Sequence, residues 1–168
     1  MSTPALTPLA AAVLEAGDPE RVLEVECGDG EATLFLAREF PRARVRGVAR
    51  SERAIREATA RVGLDPEGRV AFKPGSPRSL PFPDDQFDLV VLVDAAPAAT
   101  ETARVLRPGG LLVLAYTGTA GAPGGLRGWL AQRSLTRAGF EPVSSEPAGD
   151  GSFAVARLRG DGPASPSL

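Results

Sequence analysis

The residues best placed to do chemistry lie in one short stretch, VLEVECGDG, which spans residues 22–30. It begins as an apolar strand that includes the acidic Glu24, and it ends in a turn that carries Gly28 and Gly30. Many nucleotide-binding sites begin in this way, because glycine lets the backbone come close to a ligand. Glu26, however, stands where such a turn usually has glycine, and its side chain adds bulk and negative charge. The stretch therefore predicts a ligand-binding turn whose free space depends on where the Glu26 side chain points.

The rest of the composition excludes several kinds of catalysis. The chain has 168 residues, no histidine and a single cysteine, Cys27. Without histidine there is no Ser-His-Asp triad and most zinc sites are excluded, and no spacing of carboxylates suggests another metal site. One cysteine excludes an internal disulfide and favours a reducing compartment. Because Cys27 lies inside the glycine turn, we interpret it as a small wall residue and not as a nucleophile.

Charge and hydropathy narrow the range of partners. A formal net charge of -2 argues against general binding to nucleic acid. The first residues lack the basic and apolar pattern of a signal peptide. No apolar stretch approaches the roughly 18 residues that a membrane-spanning helix needs. We expect a cytoplasmic protein without membrane contacts.

Apolar segments and helical patterns alternate along the chain, which predicts the elements that position the turn. Five strands are predicted at RVLEV, ARVRGVA, RVAFK, FDLVVLV and LLVLAY. Helices are predicted from about Leu6 to Ala16, in EATLFLAREF, after Ser51 as an N-cap, from about Ala98 to Leu106 and from about Leu126 to Ala138. FEPVSSEP and SFAVARLR follow as two strands that pair antiparallel, because no helix separates them. We expect one domain over residues 1–160 and a disordered tail over residues 161–168.

This order of elements predicts where a ligand would bind. Strands that alternate with helices imply a parallel sheet covered on both faces. Ligands of such sheets bind beyond the carboxyl ends of the strands. The rule places the site at residues 26–31, 49–51, 75–78 and 94–97.

Four separated stretches resemble class I S-adenosylmethionine-dependent methyltransferases of the small-molecule type. VLEVECGDG is similar to the first motif of that family, LPFPDDQFDLVV to the approach to its fourth strand, ARVLRPGGLLVLA to the entry of its fifth strand, and LTRAGFEPV to the helix end before its sixth strand. The resemblance implies a Rossmann-like α/β fold, a three-layer sandwich with a mostly parallel seven-stranded sheet whose last strand is antiparallel, between the fifth and sixth. It also implies S-adenosylmethionine as the cofactor and an unidentified small molecule as the methyl acceptor.

The resemblance assigns roles to residues of the turn. Glu24 matches the acidic residue that helps to hold the methionine amino group of the cofactor. Gly28 and Gly30 match the second and third glycines of the motif, and Glu26 replaces the first. Cys27 completes the predicted cofactor-binding turn.

Other cofactor positions depart from the family pattern. Ala49 stands where the family has an acidic residue that accepts both ribose hydroxyls, and Arg50 follows it. Gly75 and Ser76 stand where the family commonly has Gly-Asp, with the carboxylate near the adenine amino group. A serine hydroxyl is a weaker acceptor than a carboxylate. The departures imply a cofactor that is bound more weakly than is usual in the family.

Asp94 follows the fourth predicted strand and is the candidate catalytic residue. In the expected crevice, its carboxylate would border the cofactor and would orient a nucleophile or take its proton. The alternative interpretation is a helix N-cap or a turn residue.

Two alternative functions remain open. The first is a catalytically inactive relative that keeps the fold and acts as a binding or scaffold module, motivated by the changes at Glu26, Ala49 and Ser76. The second is an NADP-type nucleotide-binding protein, because Arg50 follows a strand as an arginine does where it meets a 2′-phosphate. Against the second, ECGDGEA lacks the turn of the reductases, and the chain has no Tyr-x-x-x-Lys pair.

Overall fold

The computed structural model describes residues 6–118 and 126–160, with the backbone alone for residues 126–131. The helices are α1 (Thr7–Val13), α2 (Glu31–Glu39), α3 (Glu52–Val62), α4 (Ala99–Val105) and α5 (Leu126–Arg137). The strands are β1 (Arg21–Val25), β2 (Arg44–Ala49), β3 (Val70–Pro74), β4 (Phe87–Val93), β5 (Leu106–Tyr116), β6 (Phe140–Ala148) and β7 (Gly151–Leu158). The tail predicted to be disordered, residues 161–168, lies outside the described residues.

The strands form one seven-stranded sheet in the order β3-β2-β1-β4-β5-β7-β6. Neighbouring strands from β3 to β5 pair in parallel, whereas β7 pairs antiparallel with both β5 and β6. The predicted Rossmann-like α/β fold is confirmed, including the antiparallel last strand between the fifth and sixth.

Helices cover both faces of the sheet, because alternate residues of each buried strand point to opposite sides. On one face, Leu9 of α1 and Leu36 of α2 pack in the same cluster as Val113 of β5. On the other face, Val105 of α4 packs in the same cluster as Leu112, the next residue along β5. The arrangement is the predicted three-layer sandwich.

Two boundaries differ from those predicted by more than one residue. Helix α1 ends at Val13 and not at Ala16, because the following N–H groups turn to carbonyls three residues back, with Ala16 N bonded to Val13 O at 3.1 Å. Strand β5 begins at Leu106, so it includes the RPGG segment that precedes the predicted strand LLVLAY. Gly109 of that segment has φ +83°, and the pairing with β4 shifts register there.

The predicted N-cap of α3 is confirmed, since Ser51 Oγ accepts a hydrogen bond from Ala54 N at 3.3 Å.

Among the residues described, no helix has the length and apolarity needed to cross a membrane.

Candidate functional site

The sheet brings the four predicted segments to one edge. In the parallel register, Val25 at the end of β1 lies between Val48 of β2 and Leu92 of β4. Ala49, the last residue of β2, lies opposite Pro74, the last residue of β3. The residues that follow these strands therefore share the carboxyl edge, where parallel sheets of this kind bind their ligands.

Backbone hydrogen bonds fix the turn after β1. Cys27 N donates to Val48 O at 2.9 Å, which ties the turn to β2, and Gly30 N donates to Cys27 O at 2.9 Å, which closes it. Helix α2 begins immediately after Gly30. Backbone hydrogen bonds thus tie the turn to β2 and close it at the start of α2.

The two glycines of the turn serve different purposes. Both have positive φ, +51° at Gly28 and +84° at Gly30. A Cβ at Gly30 would lie 3.0 Å from Ala58 Cβ and 3.1 Å from Phe72 Cζ, so this glycine lets α3 and β3 pack against the turn. A Cβ at Gly28 would have no atom within 4 Å. The backbone at Gly28 consequently borders open space that a ligand could fill.

Glu24 lies behind the turn. Its side chain is buried, and its carboxylate accepts a hydrogen bond from Thr33 Oγ1 of α2. Burial raises the pKa of Glu24 to about 7, although the hydrogen bonds from Thr33 oppose that rise. The predicted contact between Glu24 and the cofactor amino group stays a prediction, because the described bonds of the carboxylate run toward α2.

Cys27 is a buried free thiol. Burial raises its pKa to about 12, with further contributions from the negative charges of Glu24, Glu26 and Asp29. The thiol is therefore protonated at neutral pH, which agrees with the interpretation of Cys27 as a wall residue.

Glu26 does not point into the sheet. Its φ is +61°, and its Oε1 accepts a hydrogen bond from Arg50 Nε at 2.8 Å, so the ion pair spans the distance between the end of β1 and the residue that follows β2. The two side chains are 33% and 68% exposed, respectively. This ion pair links the position that replaced a glycine with the position next to Ala49.

The segment after β3 forms a tight loop. Gly75 N donates to Ala49 O at 3.0 Å, and Ser76 and Ser79 exchange two backbone hydrogen bonds of 3.3 and 3.0 Å. A Cβ at Gly75 would lie 2.9 Å from Pro81 Cδ. Close packing therefore explains this glycine, and Ser76 is half-buried at the carboxyl edge, as predicted.

Asp94 is exposed at the end of β4 and has φ +53°. Its carboxylate accepts hydrogen bonds from Thr117 N, at 2.7 Å, and from Thr117 Oγ1. Its own N–H donates to Ala115 O at 2.9 Å. Asp94 thus joins the carboxyl ends of β4 and β5, which is the turn role given above as the alternative. A catalytic role stays a prediction.

Sequence reasoning missed three partners at this edge: Thr33, Thr117 and Arg61. Arg61 Nη2 pairs with Asp29 Oδ2 at 2.7 Å, and Arg61 Nε also donates to Asp29 O at 3.1 Å. These two bonds fasten the end of α3 to the turn after β1. Asp29 and Arg61 are 32 positions apart. No local pattern signals such a pair.

A second feature lies away from this edge. An open cleft of about 290 Å³ runs between the end of α3 and β3, and it is lined by Thr59, Val62, Gly63, Asp65, Gly68, Val70, Ala71 and Phe72. The Asp65 carboxylate in this cleft accepts a hydrogen bond from the Val70 N–H at 2.8 Å.

Over the described ranges, no group of acidic, histidine or cysteine residues could hold a metal ion.

Comparisons with known proteins agree with this geometry. Residues 22–110, just over half of the chain, match a family model described as "Methyltransferase domain". The chain is 32% identical over 159 residues to 27-O-demethylrifamycin SV methyltransferase of Amycolatopsis mediterranei, a match that covers 79% of this chain and 57% of that protein. The chain spans about half the length of the curated relatives it matches.

Solved structures share the fold. A SAM-dependent methyltransferase from Aquifex aeolicus superposes with a TM-score of 0.74 at 18% identity, covering 92% of this chain and 91% of that one. The [4+2]-cyclase SpnF superposes with a TM-score of 0.70 at 25% identity, covering 93% and 80%. One fold therefore carries different reactions, so the reaction has to be argued from the site.

Proposed function

The chain belongs to the methyltransferase-domain family, and on that basis we propose that it transfers a methyl group from S-adenosylmethionine to a small molecule. The observation that carries the proposal is the turn after β1. Its backbone at Gly28 borders open space at the carboxyl edge, while Cys27 and Gly30 anchor it to β2 and close it onto α2. A nucleoside cofactor needs this combination of a fixed turn and free room beside it.

The residues present fit such a cofactor. Glu26 lies across the strand ends and leaves the space at Gly28 open. When bound, S-adenosylmethionine supplies a methyl group that is already activated for displacement. The chain's part is then to bind, orient and exclude water, which is compatible with a sequence without histidine.

A small organic acceptor is supported by the relative from Amycolatopsis mediterranei, which is named for 27-O-demethylrifamycin SV. Asp94, exposed at the end of β4, is the residue of this edge that we propose meets the acceptor. Its bonds to Thr117 hold the carboxylate still. We assign to it the orientation of the acceptor.

Each alternative function makes a different demand on the site. An NADP-type ligand would present a 2′-phosphate to Arg50, yet the Arg50 guanidinium is paired with the Glu26 carboxylate, which would repel that phosphate. An inactive relative would keep the fold and, in the simplest case, lose the cofactor. The free space at Gly28 favours a protein that still binds one.

Isothermal calorimetry with S-adenosylhomocysteine tests the proposal, with NADP⁺ as the comparison ligand. We expect a measurable dissociation constant for S-adenosylhomocysteine and no heat with NADP⁺. The absence of heat at millimolar S-adenosylhomocysteine would overturn the proposal.

Transfer is tested separately, by measuring S-adenosylhomocysteine formed from S-adenosylmethionine over a panel of small hydroxyl, amine and carboxyl compounds. Turnover with any of them supports the enzyme. Binding without turnover across a broad panel would support the inactive binding module instead.

A further inference from the structure

Glu26 is the residue of the candidate site that the fold itself least explains. At φ +61° its backbone is left-handed, a conformation that glycine adopts freely and that an L residue adopts at a cost. The only described partner of its side chain is Arg50, in a pair that is largely exposed to solvent. Exposed pairs of this kind contribute little to stability. Strained residues of this sort cluster at ligand sites, where the side chain is needed in that direction.

The position of Glu26 in the sheet brings its side chain close to the neighbouring strand. Because Val25 pairs with Val48, Glu26 and Ala49 are the next residues along two neighbouring strands. Adjacent strands lie only about 4.8 Å apart, so a glutamate at the end of one reaches the end of the other. The Arg50 bond holds the carboxylate on that side, since it ties Glu26 Oε1 to the side chain of the residue that follows Ala49.

The Glu26 carboxylate is therefore held by the side chain that follows β2, although β2 itself ends in alanine. Ala49 has no hydrogen-bonding atom in its side chain, and it is buried. Glu26 supplies the acceptor from the neighbouring strand. Its second oxygen, Oε2, has no hydrogen-bond partner among the residues that the structure describes. A carboxylate has room for several donors, so it can accept from a ligand while it remains paired with Arg50.

We propose that Glu26 accepts the hydrogen bonds of the two ribose hydroxyls of the cofactor, in place of a residue at position 49, and that Arg50 is the positioning residue that holds its carboxylate there. The proposal rests on the proposed function, because it needs an adenosine-containing ligand at this edge. It gives the strained glutamate at a glycine position a role, because an acidic side chain at the end of β1 then takes the part of one at the end of β2.

The test compares two ligands that differ only at the ribose: S-adenosylhomocysteine and its 2′-deoxy counterpart. A charge-assisted hydrogen bond is strong enough that the wild-type protein should bind the deoxy ligand about tenfold or more weakly. In Glu26→Gly that preference should disappear, and the affinity for S-adenosylhomocysteine should fall about tenfold. Affinity for the deoxy ligand should change much less.

Further variants define the roles. Arg50→Ala should reduce the preference for the ribose hydroxyls while the exposed position leaves the fold intact, and Arg50→Lys should recover part of it. Glu26→Gly combined with Ala49→Asp restores an acidic residue at the end of β2, and it should recover the preference. Glu57→Gln is the matched control: it breaks the exposed pair with Arg53 on α3 and removes the same charge, and both affinities should stay unchanged.

The outcomes separate the two proposals. If the folded wild-type protein, checked by circular dichroism, binds neither ligand, both the proposed function and the role of Glu26 are wrong. If it binds S-adenosylhomocysteine without a ribose preference, or if Glu26→Gly keeps the preference, only the role of Glu26 is wrong. A double variant that binds S-adenosylhomocysteine without the preference would likewise overturn the assignment to ribose.

Discussion

Three glycines around the turn allow its packing to be tested one contribution at a time. We expect Gly30→Ala to lower the free energy of unfolding by about 3 kcal/mol. At φ +84° an L residue costs about 1–2 kcal/mol. The new Cβ would also lie 3.0 Å from Ala58 Cβ and 3.3 Å from Ala58 Cα, where helix α3 has no freedom to yield. Overpacking of this kind adds about 1–3 kcal/mol, and the stiffer unfolded chain offsets about 0.4–1 kcal/mol.

The other two glycines isolate the separate causes. Gly28 has φ +51° but no atom within 4 Å of its Cβ position, so Gly28→Ala should cost only about 0.5–1 kcal/mol. Gly47 is not left-handed, but its Cβ would lie 2.6 Å from Phe72 Cδ1 and 3.0 Å from Cys27 Sγ. Because Phe72 lines the open cleft, its ring has space to move, and Gly47→Ala should cost about 1–2 kcal/mol.

Urea unfolding followed by circular dichroism measures the series. We expect the loss to be largest for Gly30→Ala, intermediate for Gly47→Ala and smallest for Gly28→Ala. For a chain of this size, about 3 kcal/mol corresponds to a fall in Tm of about 6–12 °C. If Gly30→Ala cost no more than Gly28→Ala, α3 would not press on the turn, and the packing argument would be refuted. Under the proposed function, Gly28→Ala should instead weaken S-adenosylhomocysteine binding more than tenfold.

Three further predictions concern single side chains. Burial raises the pKa of Glu24 to about 7 from its ordinary value of 4.5, so between these two pH values the folded state holds a proton that the unfolded state has lost. The free energy of unfolding therefore falls as the pH rises through this range, by up to about 1.4 kcal/mol per pH unit. The Tm of Glu24→Gln, measured from pH 4.5 to 7.5, should depend less on pH than that of the wild-type protein. Since burial raises the pKa of Cys27 to about 12, a disulfide reagent at pH 8 should react with it at least about 100-fold more slowly than in urea. Asp94→Ala loses both bonds to Thr117 and should cost about 2 kcal/mol, whereas Asp94→Asn, which tolerates the positive φ, should cost about half of that.

The sequence predicted the fold well, because the signals for its elements are local. Apolar runs such as RVLEV and FDLVVLV have the length of buried strands, and both lie where they were predicted. The N-cap at Ser51 is equally local, since its partner, Ala54, is three residues away. The place of the last strand, between the fifth and the sixth, came instead from the resemblance to a family, and the structure confirms it.

The site was predicted only at the level of position. The residues after β1, β2, β3 and β4 share one edge as expected, because parallel strands end together. The directions of their side chains were not accessible from the sequence. Glu26 forms a hydrogen bond with Arg50, 24 positions away in the sequence, and Asp94 forms hydrogen bonds with Thr117, 23 positions away. Such contacts depend on the register between strands, which no short motif encodes.

The antiparallel position of β7 has a consequence for how the chain folds as it is made. β7 is the last strand in sequence, yet it lies between β5 and β6. Until residues 151–158 emerge from the ribosome, the growing sheet ends at β5 with an open row of backbone donors and acceptors, and β6 has no neighbour to pair with. Open edges of this kind invite pairing with other chains. The nascent chain is therefore most prone to aggregate just before β7 is synthesised, because β7 pairs with both β5 and β6.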